Sequence, residues 1–226
     1  MTSFAWVPAW TPAVILLVAA AALLAFGLTF YRRQAEGGLG GRISLPKTYW
    51  LCFAVFFWFA LCPAVALDVH FPPLVRLVAT SMAISMWLRG TLEMVMLYRW
   101  KNWRPPYGVG HDILCIVLIA GCVICERESL LLLLEKPTPL AIAGLGFIVA
   151  LVASLLVEIH HAASFHAAVA GRTTGDNGVW FADEDARFVR INRVTRQWNY
   201  LLTGWVLLFL LGWAAHGLSS AVEAWL

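Results

Sequence analysis

Charge is what this chain has least of. Asp, Glu, Lys and Arg make up 13% of its 226 residues, against roughly 25% in soluble domains. So little charge cannot clothe a globule of this size in water. No basic tract with interleaved aromatics is present, so nucleic acid is not an expected partner. The N-terminal stretch "MTSFAWVPAWTP" holds no Lys or Arg before the first apolar run. The basic region that opens a cleavable signal is therefore missing, and the first run is expected to stay as an anchor.

Several metal motifs are also missing. Five Cys are present, all in apolar runs. Cys122 and Cys125 have C-x-x-C spacing, but no second such pair or nearby His accompanies them, so they read as packing residues. H-E-x-x-H is absent, which excludes the common zinc-protease pattern. H-x-x-x-H and H-x-x-H-H, the boxes of membrane desaturases, are absent as well. Haem is not expected, because His70 lies in the short loop "DVHFPP" rather than within a helix. There is no obvious internal repeat and no low-complexity segment.

What the chain does have is length of apolar run. Hydrophobic residues reach 61% and the mean hydropathy is +0.77. A helix needs about 20 apolar residues to cross the hydrocarbon core. Six segments come close: about 12–31, 48–67, 74–98, 112–132, 139–162 and 197–215. The expected fold class is an all-α, polytopic membrane helix bundle, one membrane domain over 1–226. In the fourth span Glu126, Arg127 and Glu128 set the end of the membrane part near Cys125, with 126–138 as an interfacial segment. The polar loop 167–196 is expected to carry an amphipathic surface helix over 183–197, with Phe188, Ile191 and Val194 at helical spacing.

Positive charge orients these spans. The loops after spans 1, 3 and 5 hold 12 of the 16 Lys and Arg. By the positive-inside rule those loops are cytoplasmic and both termini are outside, as in a bacterial-type inner membrane. The lipid bilayer is then the first partner, and other membrane subunits or further copies of the chain are the next.

The ionisable residues within the spans carry the chemistry. The stretch "VEIHHAASFH" (157–166) ends span 5 on the cytoplasmic side. Span 3 ends there too with "LRGTLEMVMLYRW", and span 4 begins there after "RPPYGVGHD". Glu93, His111, Asp112, Glu158, His161 and His166 are thereby expected in one layer. Buried ionisable groups in a membrane face a partner or a cavity. Glu158 and His161 are three apart and project from one helix face, as in the Glu-x-x-His unit of di-iron bundles.

Imidazole with carboxylate suits non-haem iron or another divalent transition metal. The expectation is a metal site made of these six residues, in an iron-type oxidoreductase acting on a lipid-soluble substrate. Two other readings stand beside it: a non-catalytic docking subunit of a larger membrane complex, and a small transporter. Arg89 and Glu93, four apart in span 3, read as an internal ion pair that competes with the metal for Glu93. In "WRPPYGVGHD", Pro105 and Pro106 are expected to keep the chain extended, and Asp112 to cap the start of span 4.

Overall fold

The structure is a computed structural model that describes residues 8, 10–35, 45–100, 105–169 and 186–225. Every regular element among them is helical. In chain order they are α1 (Thr11–Ala35), α2 (Leu45–Phe56), α3 (Cys62–Leu67), α4 (Pro73–Met94), α5 (Pro105–Cys125), α6 (Arg127–Glu135), α7 (Pro139–Val169) and α8 (Ala186–Trp225). A π-helical turn, Phe57–Leu61, joins α2 to α3, and a second, Val95–Arg99, extends α4.

Local chemistry explains most of these boundaries. Pro63 lies in the first turn of α3. Inside a helix its ring would meet the carbonyl four residues earlier, at Phe59. The wider π turn falls over that residue, and the rod continues past the proline. At Asp68 the backbone becomes extended, and the Asp68 carboxylate accepts the His70 backbone N–H at 2.9 Å. Pro73 then opens α4, where a missing N–H costs nothing. Thr138 caps α7 by accepting the Ala141 N–H at 3.1 Å.

Two expectations change here. α5 begins at Pro105, seven residues before Asp112. Asp112 is therefore inside the helix and does not cap it, since the two prolines fit the first helical turn as well as an extended approach. The expected amphipathic helix over 183–197 and the last span are one element. α8 runs for 40 residues, about 60 Å, because no Gly or Pro interrupts 186–203. Residues 170–185 of the expected cytoplasmic loop lie outside the described residues.

Four helical stretches are long and apolar enough to cross a membrane: Thr11–Thr29, Tyr107–Cys125, Pro139–Ser164 and Arg193–Gly217. That is the build of a membrane protein. The α2–α3 rod holds a shorter apolar stretch, Leu51–Leu67. α4 is not in this set, and it carries Arg76, Arg89 and Glu93.

α4 packs against α3, α5 and α7, and α7 in turn packs against α5 and α8. Leu74, Val75, Val78, Ala79, Met82, Ala83 and Met86 form a buried stripe along α4. α4 and α7 cross closely at Gly144, where an added Cβ would stand 2.6 Å from a Val75 methyl. Next to that crossing, Phe71, Phe147, Trp205, Phe209 and Trp213 pack ring on ring to join α7, α8 and the 68–72 turn.

Candidate functional site: an arginine shared by three carboxylates

The buried stripe of α4 continues from Met82 through Ser85 to Arg89, in steps of three and four residues. The stripe that makes the core therefore also carries Arg89 inward. Its Nε donates to Glu93 Oε1 at 3.1 Å on the same helix. Its Nη1 donates to Asp112 Oδ1 on α5 and to Glu158 Oε2 on α7 at 3.3 Å. The Trp58 indole, on the π turn before α3, donates to Glu158 Oε1 at 2.9 Å. One cluster thus ties together four helical rods.

Gly108 makes room for the guanidinium, since a Cβ there would lie 3.2 Å from Arg89 Nη2. The side chains of Arg89, Glu93 and Glu158 keep 19%, 30% and 26% exposure, whereas that of Asp112 keeps 0%. Asp112 Oδ2 is buried without a hydrogen-bond partner.

His111 sits at the edge of this cluster. Its Nε2 lies 3.0 Å from Ser85 Oγ and its Nδ1 3.5 Å from Asp112 Oδ1. The buried Cys115 thiol is 3.6 Å from the same ring. His161 points elsewhere: its Nδ1 bonds Thr195 Oγ1 on α8 at 2.9 Å. The side chain of His166 lies outside the described residues. Beside Glu158 is a cavity with ≈ 20 Å³ of room, whose walls include Trp58, Ser154, Thr195 and Asn199. That is space for about one water molecule.

The expected ligands therefore divide. Glu93, Asp112 and Glu158 converge, with His111 beside them, but on a guanidinium rather than on a shared empty point. Glu158 and His161 face different neighbours. Among the described residues no group of three or more His, Cys, Asp or Glu is arranged to hold a metal ion. Trp58, Ser85, Cys115 and Thr195 were not singled out from sequence. Trp58 had a usable signal: an indole N–H in mid-span has to find an acceptor.

The fold and this cluster define a class, an all-helical membrane protein with an internal arginine–carboxylate centre. No family model, curated protein or solved structure matches the chain.

Proposed function

We propose that the chain is a six-span integral membrane protein whose Arg89 cluster binds a proton, as the charge-carrying centre of a small proton carrier. One observation carries this reading. Two carboxylates from different helices, Asp112 and Glu158, share a single guanidinium nitrogen. One oxygen of the fully buried Asp112 is left without a partner. Three carboxylates, Glu93, Asp112 and Glu158, face the one guanidinium, so the ionised cluster has two negative charges more than Arg89 neutralises, with the His111 imidazole beside Asp112 as a further proton acceptor. An uncompensated charge at such depth costs several kcal/mol. A proton taken up by Asp112, Glu158 or the neighbouring His111 reduces it. A divalent metal fits less well, because Arg89 fills the space among the carboxylates and repels a second cation.

The six-span count rests on the remaining two rods. Leu45–Leu67 and Pro73–Arg99 have 23 and 27 residues, about 34 and 40 Å, enough to cross. The weak hydropathy of α4 suits a helix whose charges turn toward its neighbours. With six spans the basic loops are cytoplasmic, both termini are outside, and the cluster lies toward the cytoplasmic end. The cavity beside Glu158 provides a place for water on the way to it.

The test uses the purified chain in lipid vesicles loaded with a pH-sensitive dye. A pH gradient should drive a proton flux that Asp112→Asn and Glu158→Gln abolish. Equal flux in wild type and variants, or none in wild type, would overturn the reading. Metal analysis of the same preparation is the second arm. A stoichiometric transition metal lost in these variants would put the iron-type oxidoreductase first. With neither proton flux nor metal, the cluster becomes a structural tie and the docking-subunit reading takes its place.

A further inference from the structure

The end of the bundle opposite Arg89 holds a second polar group that the carrier reading does not use. Asp68, at the end of α3, accepts from three donors. Its Oδ2 takes the Trp213 indole N–H at 2.5 Å. Its Oδ1 takes the His70 backbone N–H at 2.9 Å and lies 2.7 Å from His70 Nδ1. Trp213 is itself held by rings, with Phe71 at 5.1 Å and Phe209 at 5.8 Å between centroids. The carboxylate is therefore fixed in place.

An ionised carboxylate only accepts, so the proton of this bond belongs to His70 Nδ1. In the neutral ring that leaves the Nε2 lone pair for a ligand. A carboxylate that holds a histidine in this tautomer is the usual outer partner of a metal-bound imidazole. The second imidazole is present. His216, on α8, has its ring centroid 6.0 Å from that of His70, nearly perpendicular to it. Two imidazoles on one ion, with metal–N bonds of about 2.0–2.1 Å and angles near tetrahedral, hold their centroids roughly 5 Å apart, so the two rings need to approach by about an ångström to share one. His70 is 51% exposed, so an ion can reach it from solution.

We infer that His70 and His216, with Asp68 as positioning residue, form a surface site for a divalent transition ion of the zinc or copper class. Sixteen residues of α4 separate Pro73, beside this site, from Arg89, about 24 Å along the helix. The two centres are thus independent, and failure of one leaves the other standing.

The experiment titrates detergent-purified protein with Cu²⁺ and follows its electron paramagnetic resonance, with Zn²⁺ calorimetry in parallel. One ion per chain should bind with nitrogen ligation. His70→Ala and His216→Ala should each remove that signal. Asp68→Asn should weaken binding by roughly 10–100-fold while nitrogen ligation persists. Thermal unfolding checks that each variant remains folded. If one variant does not fold, His70→Gln and His216→Gln repeat the test with less change in volume. Wild-type protein without stoichiometric binding, or a folded His70/His216 double variant that binds as wild type does, overturns the inference.

Discussion

A guanidinium presents five N–H donors in a rigid plane, and Arg89 aims them at acids on three helices. Removing it strands Asp112 and Glu158 without their cation. Arg89→Leu is therefore expected to cost about 3–5 kcal/mol, as for other broken buried pairs. Arg89→Lys should recover only part of this, because an ammonium cannot reproduce the fork. Thermal unfolding in detergent measures both, and an unchanged melting temperature for Arg89→Leu would refute the tie. Trp58→Phe keeps the ring but removes the N–H on Glu158. A hydrogen bond to a charged group contributes about 1.5–3 kcal/mol, so a smaller loss is expected on the same assay. Arg89, Glu93, Asp112 and Glu158 are legible in the sequence because charge at membrane depth is conspicuous. The expected pairing of Glu158 with His161 rests on spacing alone, a poorer guide. Residues three apart on a helix still differ by about 60° in direction. Where a helix lies between two neighbours, that offset sends Glu158 to Arg89 and His161 to Thr195.

Among the described glycines, Gly144, where α4 and α7 cross, leaves the least room for a side chain. Gly144 is not there for its backbone freedom but for its missing side chain. With Val75 so near, Gly144→Ala should push the helices apart and cost about 1–3 kcal/mol, the range for overpacking. Adding Val75→Ala empties the space the new methyl needs. The double variant should therefore melt above the Gly144→Ala single variant, and strictly additive losses would rule the contact out as the cause. This crossing also bears on the Arg89 cluster, because it fixes how α7 presents Glu158 to α4. The boundaries of α5 and α8 were the elements least legible beforehand. Proline pairs suit both a first helical turn and an extended linker. An amphipathic segment next to an apolar one gives no local sign of whether the helix breaks between them.

For the whole molecule the number of crossings sets which side each loop faces. Reporter fusions after residues 40, 105, 180 and 226 should place the first three in the cytoplasm and the last outside. The 12-to-3 split of loop Lys and Arg and an even number of spans lead to that pattern. A cytoplasmic C-terminus would require an odd count. The first element to reassign would then be α4, which carries Arg76, Arg89 and Glu93 and is not among the apolar stretches.

Hydropathy along the chain was enough to determine that this is an all-helical membrane protein. In a bilayer, run length and charge are compared with one fixed thickness, and backbone groups must be satisfied within each segment. Both are properties of the chain taken in order. Which acid meets which base is not. Arg89, Asp112, Glu158 and Trp58 stand on four separate rods, and only the packing of α4 against α5 and α7 brings them within hydrogen-bond reach. The same holds for His70 and His216, which are 146 positions apart in the sequence yet 6.0 Å apart as rings. The burial of Asp112 Oδ2, on which the proton reading depends, is likewise a product of tertiary packing. It arises because neighbouring helices exclude water from one side of a carboxylate while offering a donor only to the other.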